Sequence, residues 1–194
     1  MGLTIWCNTE FGETARELLI EQTREHRLIW AATRSADVLQ SGARDSQIAK
    51  ADVLFGQPTV EDCFEYENVQ WMEVTTSGYT RYDTPEFNET IRDRGSVFTC
   101  AAEVFADPCA QHVLAMMLAL GRNILPSHEA QLTDRAWAYE KRRYDSVLLT
   151  GQTVLMLGYG AIGRRLTELL APFGMKLIAV RRQTRSERGV KIIS

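Results

Sequence analysis

Cysteine is sparse and scattered. Cys7, Cys63, Cys100 and Cys109 are the only four, and no pair has the spacing of a zinc site, a redox motif or a disulfide framework. No metal is therefore expected, and reduced thiols of a cytoplasmic protein are the default. Excess charge is lacking too. Lys and Arg number 22 against 25 Asp and Glu, for a net charge of −3, with basic residues dispersed except between Arg181 and Arg188. That balance suggests no nucleic-acid surface; the stretch from Arg181 to Arg188 is a conceivable short phosphate-backbone patch, but it carries no aromatic platform. No apolar run is long enough to span a bilayer, and Met1-Gly2-Leu3-Thr4 enters a strand-like segment with no charged leader, so no membrane is expected either. Internal repeats and low-complexity tracts are absent. What remains is ample core material: 45% of 194 residues are hydrophobic, enough for one large domain or two small ones.

The most informative run is Val154-Leu-Met-Leu-Gly158-Tyr-Gly160-Ala-Ile-Gly163. It places three glycines between a short apolar strand and a helical pattern, the arrangement of a dinucleotide-binding turn. Gly158 suits a tight turn, Gly160 keeps a Cβ out of the pyrophosphate's way, and Gly163 permits close helix-on-strand packing. Thr153 to Leu157 reads as the strand. Ile162, Leu166, Leu169, Leu170 and Phe173 repeat at helical spacing, and Pro172 and Gly174 close that helix. Lys176 to Val180 is the returning parallel strand. Gly158, Tyr159, Gly160, Ala161, Ile162 and Gly163 are thus the candidate cofactor turn, with free helix N–H groups aimed at a diphosphate. The alternative is a βα turn that binds no dinucleotide.

An NAD site of this kind usually carries Asp or Glu at the end of the second strand, to accept from the adenine-ribose hydroxyls. This chain has Arg181 there, followed by Arg182, Gln183, Thr184 and Arg185. Guanidinium forks hold a 2′-phosphate in charge-assisted pairs. The expected cofactor is NADP in preference to NAD, with Arg181 and Arg182 as the phosphate ligands. A solvated basic loop is the competing reading.

Upstream, strand-like and helical segments alternate. Leu3 to Cys7 reads as a strand, Gly12 to His26 as a helix, and Arg27 to Ala31 as a strand. Asp45 to Lys50 fits a short helix, while Ala51 to Gly56, Val69 to Thr75 and Ser96 to Cys100 read as strands. Repeated βα units predict an α/β fold with a parallel sheet. Asp107 and Pro108 are read as N-cap and first residue of a helix running Pro108–Asn123. That helix is apolar nearly all round and is expected to be buried on more than one side, through its own domain and a homodimer partner, or through one core alone. Pro126 to Arg143 reads as a second helical segment anchored by Trp137 and Tyr139.

Taken in order, these segments resemble the D-isomer-specific 2-hydroxyacid dehydrogenase family. The resemblance rests on Val69-Gln-Trp-Met-Glu-Val-Thr-Thr-Ser-Gly-Tyr-Thr-Arg-Tyr-Asp83, on Val104-Phe-Ala-Asp-Pro-Cys-Ala-Gln-His-Val-Leu114, on Trp137, on Leu149-Thr-Gly151 and on the glycine turn. It implies a flavodoxin-like parallel-sheet substrate domain over 1–100, followed by an incomplete Rossmann domain over 101–194. The implied chemistry is hydride transfer between nicotinamide and a small 2-oxo or 2-hydroxy acid. By the same resemblance, Ser77, Gly78 and Tyr79 lie in the loop that meets the substrate carboxylate, in keeping with consecutive N–H groups forming an anion-binding concavity. Gln57 and its loop are a further candidate lining.

The family's catalytic Arg, acidic residue and His lie in the later half of the Rossmann domain, and this sequence reaches Ser194 before them. None of His26, His112 and His128 matches the catalytic His; His112 is expected to be a packed helix residue. No catalytic residue is therefore assigned, and the chain alone is expected to be inactive, with open strand edges that aggregate or await another polypeptide. Alternatives of other kinds are a nucleotide-binding regulatory or interaction protein of the same fold, and one chain of a split enzyme.

Overall fold

Short runs rich in β-branched and aromatic residues form the strands, and every pair of named strands is parallel. A computed structural model describes residues 2–35, 37, 39–182 and 187–193. The chain divides into two units, Met1–Ala102 and Glu103–Ser194.

The first unit runs β1 (Thr4–Thr9), α1 (Glu13–Gln22), β2 (Arg27–Ser35), a 3-10 turn (Ser46–Lys50), β3 (Val53–Gly56), α2 (Val60–Glu65), β4 (Trp71–Val74), α3 (Pro85–Arg94) and β5 (Val97–Cys100). The sheet order is β2-β1-β3-β4-β5. That is the flavodoxin-like order, in which strand order reverses between β1 and β3. Trp6 is in register with Leu54, Leu54 with Met72, and Met72 with Phe98, so the four share one face of the sheet. Ile48, Cys63, Tyr82 and Phe87 close over that face and leave Trp6, Leu54 and Met72 buried. Local chemistry sets the helix ends. The Thr84 hydroxyl accepts from the N–H of Phe87 at 3.2 Å, Pro85 opens α3, and Gly95 ends it in the left-handed conformation. The Thr59 hydroxyl accepts from the N–H of Asp62 at 3.0 Å to start α2. The short helix expected from Asp45 is a 3-10 turn that Asp45 caps, its carboxylate accepting from the N–H of Gln47 at 2.9 Å.

The second unit runs α4 (Ala106–Gly121), α5 (Ile124–Leu132), α6 (Tyr139–Asp145), β6 (Thr153–Leu157), α7 (Ala161–Leu170), β7 (Lys176–Val180) and β8 (Val190–Ile193). Its sheet order is β6-β7-β8. Leu166 and Leu170 on one stripe of α7 pack with Met156 and Ala179 of the sheet and with Ala110 of α4, whose methyl side chain allows close approach.

Several local expectations need correction. The helix expected at Pro108–Asn123 begins at Ala106, so Asp107 lies in its first turn and is no cap. The Asp107 carboxylate instead accepts from Nε of Arg165 on α7 at 2.6 Å. Only Ala110 of α4 is buried, and Leu120 is 66% exposed, because α7 covers one side of the helix alone. His112 is exposed rather than packed. The segment after α4 is two helices, α5 and α6, and Trp137 is 76% exposed instead of anchoring it. Strand β8, helix α2 and helix α3 were not anticipated from the sequence. Among the described residues no helix is long and apolar enough to cross a membrane, and no group of His, Cys, Asp and Glu is arranged to hold a metal.

Candidate functional site

In the second unit, β6 hands over to α7 through Gly158-Tyr159-Gly160. Gly158 has φ +94°, a conformation that side chains disfavour, and its N–H donates to the carbonyl of Val180 at 2.9 Å, tying the turn to the end of β7. Gly160 is the residue before α7, and no side chain caps this helix. The first-turn N–H groups of Ala161, Ile162 and Gly163 therefore keep their donor capacity at the positive end of the helix dipole. A Cβ built on Gly160 meets no protein atom within 4 Å. One built on Gly163 comes within 3.2 Å of the Tyr159 ring, which folds back so that its hydroxyl meets Thr167 Oγ1 at 3.3 Å. A cavity of about 510 Å³ lies in front of the turn, lined by Tyr159, Gly160, Arg181 and Arg182. Arg181 follows β7 directly. Its N–H donates to the carbonyl of Ile193 in β8 at 3.0 Å, and its Nη1 lies 3.6 Å from Oε1 of Glu187. Gln183, Thr184 and Arg185, the rest of the expected basic cluster, lie outside the described residues.

In the first unit, the carboxyl ends of β1, β3 and β4 form a second polar locus. Asn8 is buried and pairs with the Gln57 main chain in both directions: its Nδ2 donates to the Gln57 carbonyl at 2.9 Å, and its Oδ1 accepts from the Gln57 N–H at 2.7 Å. Nε2 of Gln57 donates to Thr75 Oγ1 at 3.1 Å, linking the β3 and β4 loops. Gln57 Oε1 and Thr9 Oγ1 are buried there with no hydrogen-bond partner among the described residues. In the next loop, the Thr76 hydroxyl donates to the Gly78 carbonyl at 2.7 Å, while Ser77, Gly78 and Tyr79 are exposed. Open sheets of this order bind ligands outside the carboxyl ends of their strands, at the order reversal. Asn8, Thr9, Thr75 and Glu187 carry no motif and were not singled out in the sequence. Only the fold brings them beside Gln57 or Arg181.

Asp45 and two cysteines titrate away from their ordinary ranges. Burial pushes the Asp45 carboxyl up, but donors outweigh it (Gln47 N–H, Trp6 Nε1 and Ala32 N–H), and the group titrates below the usual aspartate range. Burial raises the Cys7 thiol to about 11 and the Cys63 thiol to about 12, which leaves both protonated and inert at neutral pH. The histidines assemble no site: His112 and His128 are exposed, and Nδ1 of His26 accepts from the N–H of Leu3 at 3.2 Å.

Residues 114–193 match the family model described as the D-isomer specific 2-hydroxyacid dehydrogenase, NAD binding domain. A formate dehydrogenase from Candida boidinii is 27% identical over 157 residues, which cover 78% of this chain and 42% of that protein. Over those residues the chain is similar to the D-isomer-specific 2-hydroxyacid dehydrogenase family. The chain spans about half the length of the curated relatives it matches. Its fold is that of an acyclic imino acid reductase solved with NADPH and D-Arg (TM-score 0.72, 15% identity, covering 99% of this chain and 60% of that one). It is also that of an NAD-dependent formate dehydrogenase from Staphylococcus aureus solved with NAD (TM-score 0.61, 20% identity, 98% and 60%).

Proposed function

We propose that this chain supplies the substrate domain and the first half of the dinucleotide-binding domain of an NAD(P)-dependent oxidoreductase that reduces a small 2-oxo acid to the 2-hydroxy acid. On this reading 1–100 is the substrate domain and 101–194 the cofactor part. The single observation that carries it is the β6-to-α7 turn, with an uncapped helix end, a Gly160 whose Cβ position faces no protein atom, and a cavity bordered by two arginines. These features fit a dinucleotide's diphosphate, which lies against bare main chain at a helix N-terminus. When bound, the nicotinamide supplies the hydride. This chain's own part is to hold the diphosphate on the turn from Gly158 to Gly163, to meet the adenosine end with Arg181 and Arg182, and to present the N–H groups of Ser77, Gly78 and Tyr79 to a substrate carboxylate. Arginines in place of an acidic residue favour NADP over NAD. The proton-transfer groups come from outside these 194 residues.

Titration calorimetry of NADP against the full chain tests the turn. In Gly160→Ala the new Cβ meets no protein atom within 4 Å and occupies the diphosphate's place, so binding falls at least tenfold while the fold persists. Unchanged affinity in that variant would overturn the assignment.

A second arrangement has its own support. Among the described residues strand β6 has a neighbour only on its β7 side, and Leu157 at its end is 84% exposed. Parallel sheets are covered on both faces, and the β8-β7-β6 order is one mononucleotide-binding half. Further strands beside β6, from the same polypeptide or from a separately encoded chain, complete the domain. A homodimer contact through α4 is part of the same proposal, supported by its exposed Met116 and Leu120.

A further inference from the structure

The sequence offers no acidic residue at the end of β7, yet the fold brings one to Arg181. The chain leaves β7 at Arg181 and returns through β8, and the bridge between Glu187 and Val190 fixes the start of that return. Glu187 Oε1 then lies 3.6 Å from Nη1 of Arg181, and both side chains are more than half buried, at 23% and 32% exposed. Arg181 is held at both ends, by Ile193 on its main chain and by Glu187 on its guanidinium. It lines the cavity in front of the glycine turn, whereas Glu187 does not.

We infer that Glu187 is a positioning residue that restrains the chain's preference for 2′-phosphorylated nucleotides by occupying Arg181. This rests on the dinucleotide reading of the turn. The contact is slack and one-pronged, so the guanidinium keeps donors to spare for a phosphate. An incoming 2′-phosphate nonetheless competes with a carboxylate for the same cation. A nucleotide without that phosphate makes no such demand. Coenzyme choice is then set by the Arg181–Glu187 pair rather than by Arg181 alone, and the pair moderates what the arginine-for-acid exchange would give by itself.

Adenosine 2′,5′-bisphosphate and adenosine 5′-monophosphate differ only in the 2′-phosphate, and calorimetry of both against the full chain reads the preference directly. Glu187→Gln raises the affinity ratio in favour of the bisphosphate about two- to fivefold, the range of a partly exposed ion pair. The monophosphate affinity stays constant. Made in an Arg181→Gln background, the same change has less than half that effect, which a merely structural role for Glu187 does not produce. An unchanged or lowered ratio, or an equal change in both backgrounds, overturns the inference while leaving the turn's assignment intact. Failure of either nucleotide to bind the unmodified chain overturns both.

Discussion

Gly56→Ala is the sharpest perturbation of the first unit. Gly56 has φ +139°, a backbone region essentially closed to side chains, and a Cβ built there falls 2.1 Å from Asn8 Oδ1 and 2.9 Å from Thr9 Oγ1. Asn8 cannot yield without breaking its two bonds to Gln57, of 2.7 and 2.9 Å, in a place with no access to water. Backbone strain costs roughly 1–3 kcal/mol, and each buried group left without its partner about 1–3 kcal/mol. Because relaxation spares part of both, the expected loss is about 3–5 kcal/mol, a large share of a domain's 5–15 kcal/mol. Urea unfolding followed by tryptophan fluorescence measures it, since Trp6, Trp30 and Trp71 lie in the first unit and Trp137 in the second. Gly12→Ala is the control. Its Cβ meets nothing within 4 Å and its φ of −59° suits any residue, so it loses only the N-cap preference of glycine over alanine, about 0.5–1 kcal/mol. A Gly56→Ala loss under about 1 kcal/mol would refute the account of this junction.

Acid unfolding is expected to report on Asp45. Its folded-state titration lies below the unfolded value, so its contribution is fully present above about pH 4 and is lost as pH falls through the folded value. Asp45→Ala therefore flattens the pH dependence of stability in that acid window, and an unaltered slope would show that the capping bonds carry no linkage. Thiol titration with a chromogenic disulfide should modify Cys100 and Cys109 in the native state and leave buried Cys7 and Cys63 untouched until denaturant is added. Four equally fast thiols would contradict the packing around β1 and α2. If α4 forms the homodimer contact, Leu120→Glu shifts sedimentation to the monomer; an identical sedimentation profile in both proteins removes α4 from the interface.

How far the sequence could be read depended on what kind of signal each element carries. The β6-α7-β7 unit was legible to the residue at both strands, because an amphipathic stripe, three glycines and two short apolar runs agree on it. The ends of α2 and α3 were also written locally, in Thr59-x-x-Asp62 and in Thr84-Pro85 with Gly95, but both helices are short and their apolar residues too few to announce a period. Helix α4 misled in the opposite direction. Its apolar composition says that something covers it without saying what; within the second unit α7 packs along one side, and Val147 and Leu149 meet its Gly121 end. Among candidate site residues, the turn and Arg181 could be named because motif chemistry fixes their spacing. Asn8 with Gln57, and Glu187 with Arg181, are pairings of tertiary structure. The first spans 49 residues and exists only because β1 and β3 are neighbours in the sheet.

The first unit takes all five of its strands from one uninterrupted stretch of chain, ending at Ala102. On the ribosome, such a piece has every strand it needs once Cys100 has cleared the exit tunnel, and it can reach its native pairing while α4 is still being synthesised. Strand β6 emerges later and, among the described residues, has one side unmatched, so the hazard of wrong association during synthesis is concentrated in the later-made part. A chaperone or a nascent partner strand would find its purchase there.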